Sequence, residues 1–177
     1  MKWNRWHLLV MVSVVTMAAL LAAQQKPVLS PPGEASVKFD DGKTITIKYS
    51  RPSMRGRKIY GGLVPYGQVW RTGANAATSL STDVDLDIGG TTIPAGNYTL
   101  FTLPGETSWK LIVSKATGEW GTKYDPSQDL ARIPMKVGQL SAGLEIFTVS
   151  LDKTGAKSAV LKLDWENTTA SVNISEK

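Results

Sequence analysis

Apolar and polar residues alternate with a period of two along most of the chain. In KTITIKYS (Lys43–Ser50), Ile45, Ile47 and Tyr49 share one face, and Thr44, Thr46 and Lys48 share the other. That spacing predicts a strand with one buried side. TSLSTDVDLDI (Thr78–Ile88) repeats the pattern, setting Val84, Leu86 and Ile88 against Asp83, Asp85 and Asp87. Further strands are predicted at Ser36–Phe39, Thr91–Ile93, Tyr98–Leu103, Trp109–Ser114, Arg132–Gln139, Glu145–Asp152, Ser158–Trp165 and Thr168–Ile174. Turn residues separate them: Asp41-Gly42, Gly89-Gly90, Pro94-Ala95-Gly96, Pro104–Ser108, Lys153–Lys157 and Glu166-Asn167. Short strands spaced by such turns predict an all-β fold, an antiparallel β-sandwich with jelly-roll-like character and about nine strands. Ala116–Asp129 reads as a long loop with one short helical turn after Pro126. Alternation also places Tyr98 and Trp165 in the core.

The N-terminus breaks the pattern. Lys2 and Arg5 precede the uncharged run Leu8–Ala23, which ends in small residues before Gln24-Gln25. This is the layout of a secretory signal peptide, residues 1–23, cleaved after Ala23. The run is shorter than the roughly 20 apolar residues of a spanning helix, so no membrane span is expected once it is removed. No cysteine follows it, which excludes a lipid-modified cysteine anchor. Residues 24–35 contain three prolines and a glycine and read as a flexible lead-in. Residues 36–177 then form one β-sandwich domain, and the expected location is the periplasm or the exterior.

Composition narrows the chemistry. The chain has no cysteine, and its one histidine, His7, lies in the leader. The expected mature protein therefore lacks Ser-His-Asp and Cys-His sites, the usual zinc ligand sets and disulfides. Removing the leader leaves 18 basic against 15 acidic residues, a net charge of +3. That is too mild for a nucleic-acid module. No cofactor is implied.

Charge is unevenly spread. Between Lys43 and Thr82 there are seven basic residues and no acidic one. Most of them fall in SRPSMRGRKIYGGLVPYGQVWRTGANAAT (Ser50–Thr78), which reads as a long ordered crossover loop. Its arginines, with Lys58, can offer forked donors to a carboxylate, phosphate or sulfate. Alternatively they brace the body by pairing with acids such as Asp83, Asp85 and Asp87. Trp70 and Trp120 are either platforms for a sugar ring or core-edge residues. The candidate ligand-binding residues are Arg51, Arg57, Tyr66, Trp70, Arg71, Asn75 and Trp120. Arg71 is the foremost, since Trp70 and Asn75 flank it in the turn WRTGAN. The three aspartates are a weak candidate metal or carboxylate site, and a solvated strand face is the plainer reading.

The elements YSRP, GRKIYG, LVPYGQVWRTGAN and PAGNY, followed by WKLIVSK and EWGTKYD, resemble the bacterial family catalogued as domain of unknown function 2911. The resemblance covers Ser36 to about Leu151. It implies an exported single-domain β-sandwich, and a family signature of Arg51, Arg57, Gly61, Pro65, Tyr66, Gly67, Trp70, Arg71, Gly73 and Asn75. It implies no activity. The chain departs from the family at Ala76, where an acidic residue is frequent, and at Ser114, where asparagine is usual.

These readings lead to a non-enzymatic binding or structural module of the periplasm or cell envelope, with a small anionic or carbohydrate ligand near Arg71. The alternatives are a hydrolase or lyase built on carboxylates and arginine, and an architectural partner of an envelope complex.

Overall fold

A computed structural model describes residues 29–118 and 120–177. The leader, His7 and the first part of the lead-in lie outside the described residues. The described residues are all-β, with nine strands: β1 (Pro32–Lys38), β2 (Thr44–Ser50), β3 (Thr78–Thr82), β4 (Leu86–Ile88), β5 (Thr91–Ile93), β6 (Gly96–Pro104), β7 (Trp109–Ser114), β8 (Asp129–Gly155) and β9 (Ser158–Glu176). They form one open antiparallel sheet in the order β1-β2-β3-β6-β7-β8-β9-β4-β5. No helix among the described residues is long and apolar enough to cross a membrane.

The sheet folds over on itself through β8 and β9. The first residues of β8, Asp129–Met135, pair with β7. The remainder pairs with β9, which in turn carries β4 on its far end. The sequence predicts separate strands on either side of residues 140–144, and a turn at Glu166-Asn167. Both segments instead stay extended, and the ladder absorbs them as register shifts at Gln139/Leu144 and Leu144/Thr148. Glu166 takes a left-handed φ of 54° opposite the shift. A bulge of this kind bends a strand pair without ending it, so four predicted strands are two long bent ones.

The opposite correction applies at Thr78–Ile88. The predicted single strand breaks at Asp83–Asp85, and the chain crosses from β3 in one leaf to β4 in the other. The side chains replace the missing ladder bonds. Thr82 Oγ1 donates to the Val84 carbonyl at 2.8 Å. Asp83 accepts from the Thr44 amide at 3.2 Å, and Asp85 from the Ala95 amide at 2.8 Å. At the N-terminus, Pro32–Ala35 belongs to β1 and not to a lead-in. A proline is compatible with this strand because it lies at the sheet edge, where no outward N–H is needed.

The core fills the space between the leaves. Ile45, Ile47, Leu80, Leu100 and Leu111 from one leaf meet Phe147, Leu161, Leu163 and Trp165 from the other, all buried. Tyr49 joins the two directly. Its ring meets Phe147 edge-on at 5.7 Å, and its hydroxyl accepts the Val149 N–H at 3.0 Å. Trp165, Trp70, Tyr60 and Trp109 continue this aromatic seam. Trp165→Ala is expected to cost about 3–5 kcal/mol, as large aromatic-to-alanine changes in cores do. Urea unfolding followed by circular dichroism measures it; a midpoint unchanged from the parent would contradict the seam's role.

Candidate functional site

Two irregular segments decorate the outside of β6 and β7. The first is the crossover strap, residues 51–77, between β2 and β3. The second is the loop 115–128, between β7 and β8. Their seats follow from the β6 sequence. In YTLFTL the apolar Leu100 and Phe101 are adjacent and so face opposite sides, as in a strand covered on both faces. Tyr98 and Leu100 enter the core, whereas Phe101 is buried outside it.

The strap is fastened at three places by main-chain bonds. Beside β8, the Phe147 amide donates to Pro52 O at 2.9 Å and the Met54 amide to Glu145 O at 2.8 Å. A tight loop follows, closed by the Val64 amide donating to Ile59 O at 2.9 Å and tied to the end of β6 by the Gly67 amide donating to Pro104 O at 2.8 Å. There the ring of Tyr66 lies on Gly61, whose φ is +76°; a β-carbon at Gly61 would fall 2.8 Å from that ring. Finally Trp70 and Thr102 exchange both backbone bonds, at 2.8 and 2.9 Å. The Trp70 indole is half-buried, stacked on Trp165 at 5.9 Å and edge-on to Phe147 at 5.0 Å.

The turn WRTGAN is strained. Thr72 and Asn75 both hold left-handed φ values, 55° and 59°. For a β-branched residue that conformation is unfavourable and needs external support. Thr72 is fully buried, its hydroxyl bonded to Thr102 Oγ1 at 3.2 Å, and its carbonyl accepts from Thr78 Oγ1 at 2.7 Å. This network fixes the backbone on which Arg71 stands.

The 115–128 loop docks against that turn. Gly121 N–H donates to Asn75 O at 3.3 Å, and Trp120 pairs with Ala76. Gly121 is the contact point: a β-carbon there would lie 2.8 Å from Asn75 O and collide with the Arg71 side chain. Farther along, the Tyr124 ring covers Phe101 edge-on at 5.0 Å. Its hydroxyl donates to Asp129 Oδ2 at 2.7 Å and accepts from Arg132 Nη2 at 2.7 Å. Arg132 Nε donates to the same Asp129 oxygen at 2.7 Å. Burial, reinforced by the bond to Asp129 and its charge, pushes the Tyr124 phenol up to about 12.

These segments enclose a hollow of about 300 Å³ between strap and loop, with Gln68, Trp70, Arg71, Phe101, Gly121 and Tyr124 in its walls. The size lies within the range of small-ligand sites. Of the sequence candidates, Trp70 and Arg71 line this hollow. Asn75 and Trp120 stand next to it through the backbone contacts with Gly121 and Ala76. Tyr66 sits apart on Gly61. Arg57 is at the far end of the strap, donating to Ser53 O at 2.8 Å and Met54 O at 2.9 Å. Arg51 lies under Gly33, its Nε buried with no hydrogen-bond partner.

Arginine–carboxylate pairing of the strap is not what holds it. Among the described residues no ion pair involves Arg51, Arg55, Arg57, Lys58 or Arg71; where these arginines bond, they donate to carbonyls. The three aspartates do not converge. Asp83 and Asp85 serve as described, and Asp87 accepts from the Gly90 amide at 2.8 Å. Among the described residues no group of three His, Cys, Asp or Glu could hold a metal ion. Gln68, Phe101 and Gly121 escaped sequence reasoning, although the adjacent Leu100 and Phe101 in β6 carried a signal for Phe101.

Two outcomes are expected. Gly121→Ala disturbs the packing of Arg71 and lowers the melting temperature, whereas Trp120→Ala, at a side chain 56% exposed, changes stability by no more than about 0.5 kcal/mol. Differential scanning calorimetry of both variants checks this, and equal effects would contradict the docking. Second, the raised Tyr124 phenol stabilises the fold fully below pH 10, its unfolded value, and that contribution disappears as pH climbs from 10 to 12. Tyr124→Phe is therefore expected to lose stability less steeply than the parent across that window; identical alkaline melting curves would count against the bond to Asp129.

No curated protein and no solved structure matches the chain. A family model does match it, over residues 30–174, nearly the whole described part. The chain belongs to the family described as "Protein of unknown function (DUF2911)".

Proposed function

We propose that the protein is an exported, non-enzymatic binding module of the periplasm or cell envelope. Its ligand is a small organic anion held at Arg71 in the hollow between strap and loop. The leader-like N-terminus supports export. The observation that carries the binding site is the setting of Arg71. Arg71 is a half-buried residue set on a strained turn that Thr72, Thr78 and Thr102 brace, and no carboxylate among the described residues pairs with it. A cation on a braced turn with no counter-ion among the described residues suits an external carboxylate or phosphate, which a guanidinium binds with two parallel hydrogen bonds. Trp70, Phe101 and Tyr124 supply apolar surface for the body of the ligand.

Binding is favoured over carboxylate catalysis because Asp129 and Asp125, the acids nearby among the described residues, are hydrogen-bonded within the protein. Asp129 is held by Tyr124 and Arg132, and its other oxygen is buried. Asp125 caps the Ser127 amide at 2.9 Å, and that bond holds its carboxyl below the ordinary value.

Thermal shift against acetate, phosphate and glucuronate tests the reading. A true ligand at about a hundred times its Kd stabilises by about 2.7 kcal/mol, a rise of roughly 5–10 °C. Arg71→Gln is expected to abolish the rise and leave the melting point of the free protein within about 2 °C. If no anion shifts the parent, or if Arg71→Gln responds as the parent does, the proposal fails.

A further inference from the structure

A second hollow, of about 490 Å³, is also lined by Tyr124. Phe101 and Tyr124 form walls of both spaces, so the two meet across one aromatic waist. Their linings differ in chemistry. The Arg71 side is a cation, a carboxamide and apolar walls. The second side offers Thr99, Ser114, Lys123, Asp125 and Gln128, a dense mixture of donors and acceptors over the outer face of β6 and β7.

Resting on the anion site proposed above, we infer that the ligand is an acidic oligosaccharide of two or more rings. The carboxylate of one ring bonds Arg71. The next, neutral ring crosses Phe101 and Tyr124 and fills the second hollow. A mixed set of hydroxyl, carboxamide, ammonium and carboxylate groups matches a sugar ring, whose hydroxyls both donate and accept. It does not match a second anion, because Asp125 stands beside Lys123 and stays ionised. Sugar rings also present apolar C–H faces, which suit the aromatic waist. Ser114 fits the same picture: its buried hydroxyl is bonded to the Ala116 amide at 3.3 Å and keeps a lone pair for a ring hydroxyl.

Isothermal titration of the purified protein tests this with three probes: glucuronate, neutral cellobiose, and a disaccharide with glucuronate linked to glucose. The disaccharide is expected to bind at least about tenfold more tightly than glucuronate, a gain of about 1.4 kcal/mol. Lys123→Ala combined with Gln128→Ala, both outside the core, is expected to remove that gain and leave glucuronate binding unchanged. Arg71→Gln is expected to weaken both acidic probes. Equal affinity for glucuronate and the disaccharide overturns the two-ring inference and leaves the anion site standing. So does a disaccharide indifferent to the double variant. Failure of every acidic probe to bind overturns both. A melting curve of each variant confirms that it is folded.

Discussion

The whole arrangement turns on where Trp70 is held. Its backbone adds to the free end of β6 through both bonds with Thr102, and its indole fits the aromatic seam between the leaves against Trp165 and Phe147. A strap of 27 residues has a large conformational entropy to lose, and hydrogen bonds at its ends alone would leave its middle loose. One large aromatic side chain inserted into the core sets the position of everything nearby. Arg71 comes next in the chain and is carried to the surface beside it. The strained turn that follows is tolerable because buried hydroxyls hold it and the seam keeps it from relaxing.

From this anchor the outer layer is built in order. The strap covers one flank of Phe101, the 115–128 loop leans on the strap at Gly121, and Tyr124 closes over Phe101 from the other flank. Tyr124 itself is locked by Asp129 and Arg132 at the start of β8. The cleft is therefore bounded by backbone that three separate sets of contacts immobilise. A site preorganised in this way loses little entropy on binding.

The sequence made the fold class legible because strand alternation depends only on which side a residue faces. It misplaced the ends of strands wherever side chains substitute for backbone partners. Asp83 and Asp85 break a strand whose alternation is uninterrupted, and Glu166 continues a strand at a point that reads as a turn. Both depend on long-range partners, Thr44 and Ala95 in one case and the strap's Ile59 and Tyr60 in the other. The candidate site was half legible. WRTGAN announced Arg71 through its local chemistry. Gln68, Gly121 and Tyr124 are ordinary loop residues until the fold sets them against one another. The brace of arginine–carboxylate pairs failed for the same reason: charge counts along a chain do not say which groups meet, and here carbonyls take the arginine donors.

The central claim is that strap and loop together present Arg71 as a fixed cation for an external anion. An NMR titration with glucuronate, following the Arg71 Nε–H and the backbone amides, addresses it most directly. The account predicts saturable shifts confined to Arg71, Gly121, Tyr124 and their neighbours. Shifts absent there, or scattered over exposed lysines without saturation, would contradict it.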